Sequence, residues 1–303
     1  MYSALMIDIV KSRGYSSNQR YEIQDFLSRS IEALNSYFSP SLAKPVDFSA
    51  GDEIQGLFHS PFSAYQYYRL LNLLMKPVSI RAGLGIGDWS LQMDQKGTTA
   101  QDGSAYHYAR RAIEAVQGSG NHSVLIYSHQ DFWANPDYTI NSLMQAETAI
   151  SSALKPAQRN IALLLELISP LFDRISEIKI EHGEGIFHLI QETYWQNVQA
   201  TSHRWQKEEE RPPAILDRTF RDLLKAINSS SIRSYNSFDL FVGHDYTNSF
   251  FIDTRQRGAP TLLAEFLGTS RQNIEKTLIT GNIYVMRNMT ASIYMEMKKG
   301  YHI

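Results

Sequence analysis

The chain has no cysteine, which excludes disulfide staples, thiolate zinc sites and cysteine nucleophiles. Long apolar runs are missing too. The most hydrophobic internal stretch, Ile161 to Ile168, is short and carries Glu166, far from the ~20 apolar residues of a membrane span, so no membrane partner is expected. No export signal is read, because Asp8 interrupts the first apolar run before any small-residue cleavage pattern. The expected location is cytoplasmic. Net charge is also scarce, at −2 over 303 residues. The one local imbalance lies between residues 255 and 300, where seven Lys and Arg stand against three Glu, and only this end is charged for phosphates.

What is present is ordinary for a folded protein, with 43% hydrophobic and 20% charged residues. The length exceeds that of one usual domain. Ala4 to Val10 is an apolar run broken by Asp8 alone, the pattern of a central strand ending in a carboxylate. Ile23, Phe26, Leu27, Ile31, Leu34 and Phe38 recur at helical steps over Tyr21 to Phe38. Val46 and Phe48 before Gly51, and Ile54, Gly56 and Phe58 after it, read as a hairpin. Ser60-Pro61 opens a helix carrying Phe62, Tyr65, Tyr68, Leu71 and Leu74, which stops before Pro77. Val78 to Ile86 alternates as a strand, Ser104 to Val116 is a helix, and Ser123 to Tyr127 a last strand. Gly83-Leu84-Gly85-Ile86-Gly87 lies inside a strand pattern and lacks the spacing of a dinucleotide fingerprint.

The order β-α-β-β-α-β-α-β contains the ferredoxin-like β-α-β-β-α-β unit, four antiparallel strands with the first and third adjacent. The fold class is therefore α+β. In that topology the end of the first strand lies beside the hairpin turn, and Asp8 and Asp52 are predicted neighbours. Paired carboxylates repel unless a cation lies between them, and a hard oxygen pair beside a turn suits magnesium or manganese carrying a nucleotide triphosphate. Glu53 would add a third oxygen or a base. The Ser12 hydroxyl and the amides from Ile9 to Arg13 would cradle phosphates, and Arg13 would neutralise them. Taken singly, Asp8 ends a strand and Asp52 serves a turn, as Asp commonly does.

These residues carry a resemblance. Met6 to Ser12 resembles the first metal motif of class III nucleotide cyclases, and Ala50-Gly51-Asp52-Glu53-Ile54 the GGDEF signature of diguanylate cyclases; both families share a palm-like fold. Arg81 to Gly87 is similar to their following strand, and Gly103 to Arg111 to the helix bearing their catalytic Asn and Arg. The resemblance implies metal ligands at Asp8 and Asp52 and a transition-state arginine at Arg111. His107 stands at the asparagine position and Phe48 at that of the purine-selecting lysine, so neither turnover nor base choice follows. With the C-terminus described next, the whole resembles the SatD family.

Thr261 to Gly268 reads as a short helix ending at glycine, and Ser270 caps a second one. Leu263, Leu267, Ile274 and Leu278 would close a small core and leave Arg271, Gln272, Asn273, Glu275 and Lys276 outside, as in a helix-turn-helix whose second helix reads DNA. The alternative is an ordinary packed αα-hairpin. Ile283, Met286, Met289, Ile293 and Met297 form a stripe for intramolecular packing or for a homodimer. The expected organisation is a cyclase-like domain over 1–135, a helical connection over 136–228 and a helix-turn-helix region over 229–303. Within it, Lys207 to Arg211 reads as an exposed joint and Phe238 to Phe251 as a hairpin or interface.

Three functions are compatible with these features. The leading one is a regulatory DNA-binding protein whose cyclase-like domain binds a metal and a purine nucleotide triphosphate. The alternative is an active nucleotide cyclase or related nucleotidyltransferase; a scaffold with neither ligand is the third. Asp8, Asp52 and Arg111 favour the enzyme, while Phe48, His107 and the reader helix favour the regulator.

Overall fold

The computed structural model describes residues 1–90, 101–120, 123–128, 135–172, 180–201, 214–229, 238–239, 254–255 and 258–302. The joint at 207–211 and the aromatic residues 240–251 lie outside them. β1 (Tyr2–Ile9) is buried on both faces, as its nearly unbroken apolar composition requires. A 3-10 turn at Ser12–Gly14 leads into α1 (Ser17–Tyr37). α1 begins four residues ahead of the expected Tyr21. The reason is a capping box: the Ser16 hydroxyl accepts from the Gln19 amide at 3.3 Å, and the Gln19 side chain accepts from the Ser16 amide at 3.0 Å.

β2 (Leu42–Ala50) and β3 (Glu53–Phe58) form the expected hairpin, turning at Gly51 with φ 63°, a left-handed position that glycine takes without strain. α2 (Pro61–Met75), β4 (Ile80–Gly87), α3 (Ser104–Ser119) and β5 (Val124–Tyr127) follow. The sheet order is β2-β3-β1-β4-β5. β1 runs antiparallel to β3 and β4, whereas β5 joins β4 in parallel. The first four strands thus have the order and directions expected from the element sequence, and the α3 crossover adds a fifth.

The strand period assigns the two faces. Leu5, Ile7 and Ile9 point into the core under α1 and α2, while Ala4 and Met6 meet Ala105, Ala109 and Ile113 of α3. α3 lies directly on β4. A methyl group at Gly85 would run into the Ala105 and Ala109 backbone, and one at Gly83 into that of Ala109 and Ile113, so these glycines serve close helix packing.

Beyond the sheet come α4 (Asp137–Ser152), α5 (Pro156–Ile168), β6 (Leu171–Phe172), α6 (Glu184–Thr201), α7 (Phe220–Ser229), β7 (Phe238–Asp239), α8 (Ala259–Leu267), α9 (Arg271–Thr280) and α10 (Ile283–Tyr301). β6 and β7 pair in parallel. Every residue of α2 is buried, not only its expected stripe, because α5, α6 and α10 cover the side turned away from the sheet. The α10 stripe packs within the chain: Ile283, Met286, Ile293 and Met297 are fully buried, and Tyr294 meets Phe62 of α2 with ring centroids 5.0 Å apart.

Candidate functional site

The end of β1 and the hairpin turn are neighbours, with Ile7 opposite Ile54, and their carboxylates meet different groups. Asp8 and Glu53 lie on the α3 face, and Asp52 lies on the α1 side. Asp8 stands opposite Arg81 in the ladder and accepts from its Nη2 at 2.6 Å and its Nε at 3.0 Å. Gln117 of α3 also donates to it, at 3.3 Å. Glu53 accepts from Arg110 Nη2 at 2.6 Å and from the Ser49 hydroxyl at 3.0 Å. The Arg110 guanidinium beside Glu53 holds its carboxyl below the usual range, against the opposing effect of burial. The two expected ligands thus have different partners: Asp8 is engaged by Arg81 and Gln117, and Asp52 opens onto a cavity beside α1.

Asp52 has a different setting. Its Oδ2 is buried with no hydrogen-bond partner among the described residues. It lines a cavity of about 250 Å³ with Ser12, Arg13, Tyr15, Arg20, Gln24 and Gly51. Two amides of the turn, on Gly14 and Tyr15, are taken by the carbonyls of Lys11 and Ser12. The polar side chains of the lining are an acid, two hydroxyls, an amide and two guanidiniums. Arg20 and Gln24, on the first turns of α1, were absent from the sequence reading: Arg20 falls ahead of the expected helix start, and Gln24 lies off the helix's apolar stripe.

As donors for a divalent ion, these residues offer one uncommitted carboxylate, Asp52, with Asp8 held by Arg81. Among the described residues no group of three His, Asp or Glu side chains is placed to hold a metal. One carboxylate fits magnesium that arrives with a nucleotide, since that ion is commonly held by one or two carboxylates plus substrate phosphates.

His107 and Arg111 sit on the exposed side of α3, away from the Asp52 cavity. His107 Nε2 lies 3.2 Å from Asp102, and the Arg111 guanidinium stacks over Tyr127, 4.7 Å from the ring centre. Arg110, which the motif comparison passed over, is the arginine of this helix that reaches a carboxylate of the hairpin.

At the other end, α8 stops at Gly268, φ 62°, where the Thr269 amide donates to Ala264 at 2.9 Å. The Ser270 hydroxyl accepts from the Asn273 amide at 3.2 Å and starts α9. Leu263, Ile274 and Leu278 are buried, and Leu267 packs against them partly covered. Arg271, Gln272, Asn273 and Lys276 are exposed. Ile279 is exposed beside them at 64%; the sequence reading missed it, because an isoleucine in a short helix is ordinarily assigned to the core.

Comparison with known proteins agrees with the sequence resemblance at the family level. No curated protein matches. A solved structure described as a bacterial light-regulated adenylyl cyclase aligns at 13% identity, over 41% of this chain and 42% of that one, with a TM-score of 0.30. The chain thus spans less than half the length of that protein, and at this score no property passes from one to the other. The model of the SatD family matches residues 2–174, from β1 through β6 and more than half the sequence, and the chain belongs to the SatD family.

Proposed function

We propose that this chain is a DNA-binding regulator whose sheet domain responds to a nucleotide. The observation that carries the reading is α9, a capped helix at the far side of a three-residue turn with Arg271, Gln272, Asn273 and Lys276 on its open face. Arg271 and Gln272 have the forked geometry that matches guanine and adenine edges, and the exposed Ile279 offers an apolar contact of the kind a thymine methyl accepts. Ser270 and Asn273 sit at the positive helix end, where a phosphate is favoured. The companion ligand is a purine triphosphate with magnesium or manganese. Asp52 would hold the ion, with Ser12, Arg13 and Arg20 on the phosphates.

The test is equilibrium binding of selected duplex DNA by the full chain. Affinity is expected to fall with added salt as phosphate contacts release counterions. Arg271→Ala should relax discrimination between sites by about 1–3 kcal/mol, and Lys276→Ala should weaken all sequences alike. If neither substitution changes DNA affinity, α8 and α9 are an ordinary packed hairpin.

A further inference from the structure

The five-stranded sheet has two outer strands, β2 and β5. β5 lies against α4. Asn141 of that helix accepts from the Ile126 amide at 2.7 Å and donates to the Ile126 carbonyl at 3.0 Å. Asp137, one turn earlier, accepts from the Ser128 amide at 2.8 Å. Paired bonds to the N–H and C=O of one residue are those an added antiparallel strand would make, so side chains of α4 hold that place. β2 is nine residues long, with Pro45 and Asp47 exposed on it. An open edge of that length is a template on which a second chain can pair.

The ladder of β2 is interrupted at its centre. Lys44 stands opposite Leu57 and Asp47 opposite Gln55, so Pro45 and Val46 together face the single residue Gly56, which is a bulge. A methyl group on Gly56 would run into the Val46 backbone and side chain. Asn35 of α1 pins the bulge: its carboxamide accepts from the Val46 amide at 3.1 Å and donates to the Val46 carbonyl at 2.8 Å. The Tyr67 hydroxyl of α2 donates to the same Asn35 oxygen at 3.2 Å, which fixes how the amide is turned. Pro45 has no N–H to offer a neighbouring strand, and the Phe48 amide donates to the Asp47 carboxylate at 2.8 Å.

We infer that the pinned bulge at Pro45 and Val46 is an edge guard, which keeps β2 from pairing with β2 of a second copy of this chain. A bulge bends and twists its strand away from the flat course that edge pairing needs. With β5 under α4, a second copy has to meet this chain through helices or loops rather than through one continuous sheet. The inference depends on neither the nucleotide reading nor the DNA reading.

Deleting Pro45 from the full chain tests it. Val46 alone then faces Gly56, with its side chain in the core under α1 and α2, while Lys44 stays opposite Leu57 of the α3 face. The alternation becomes that of a regular strand. Mass is followed by light scattering as concentration is raised. The deletion variant is expected to reach about two-fold the wild-type mass, the step from one copy to a pair. Gly85→Ala, which strains the seating of α3 on β4 away from this edge, should keep the wild-type mass. In wild type the Val46 amide should exchange slowly with solvent, and in Asn35→Ala rapidly. The inference is overturned if the folded deletion variant keeps the wild-type mass at every concentration. It is equally overturned if Gly85→Ala gains as much mass, for then lost stability and not an open edge drives association. Should the deletion variant not fold, exchange in wild type decides: a Val46 amide that exchanges fast is not pinned, and the guard does not exist.

Discussion

Arg69 of α2 and Arg287 of α10 hold opposite oxygens of one carboxylate, Glu166 of α5, at 2.6 and 2.8 Å. All three side chains are 1–2% exposed. Arg69 Nε also reaches Glu147 of α4 at 2.8 Å, and Arg287 donates to the Ser169 carbonyl at 2.8 Å. The network ties the helix behind the sheet to the helix that follows the α8–α9 pair.

Glu166→Gln would leave two buried guanidiniums facing one remaining acid. Removing one partner from such a network costs about 3–5 kcal/mol, read as a lower midpoint in urea unfolding. A loss below about 1 kcal/mol, the scale of an exposed ion pair, would show that the network does not anchor α10.

The two acids of this network respond to pH in opposite senses. Burial pushes the Glu147 carboxyl up, and Arg69 and Tyr65 offset this only in part. A raised folded-state value means that its contribution is complete below the ordinary value of 4.5 and is lost as pH rises through the folded value. Burial also acts to raise Glu166, but Arg287 and Arg69 outweigh it and hold that carboxyl low. Its contribution is present above 4.5 and is lost as pH falls through its folded value. Glu147→Gln should therefore flatten the decline in unfolding free energy from pH 4.5 upward; a curve parallel to wild type would refute the assignment.

Gly85→Ala places a methyl group against the α3 backbone at Ala105 and Ala109, and a helix backbone cannot swing aside as a side-chain end does. The expected cost is about 1–3 kcal/mol or more. Gly14→Ala enters open space and should stay within about 0.5 kcal/mol of wild type. Equal melting temperatures for the two variants would contradict the seating of α3 on β4.

Magnesium with a purine triphosphate should raise the melting temperature of wild type but not of Asp52→Asn, since the ligand stabilises only the state that binds it. Asp8→Asn, which weakens the bond to Arg81, should retain the increase. A wild-type response that survives in Asp52→Asn would remove this carboxylate from the site.

The strands and most helices were legible because burial repeats every two residues along a strand and every three to four along a helix, and Val78 to Ile86 and Ile23 to Phe38 show those periods directly, while Ala4 to Ile9 was legible as an apolar run covered on both faces. The start of α1 was less legible from apolar spacing, as its signal is the polar pair Ser16 and Gln19. Glu166 looked like an interruption of an apolar stretch, because its partners Arg69 and Arg287 come from distant segments and no local pattern announces them.

For the candidate sites, the sequence by itself determined the helix-turn-helix outline, because the Gly268 stop, the Ser270 cap and the leucine spacing are all local. It also determined that β1 and the hairpin turn are neighbours, since the element order leaves that pairing. Which carboxylates share a face was decided by tertiary structure alone: strand register and the position of α3 set Asp8 against Arg81 and Glu53 against Arg110, and left Asp52 opening onto the cavity beside α1. A side chain's partner depends on what packs over it, and in this chain those covering helices come from distant segments.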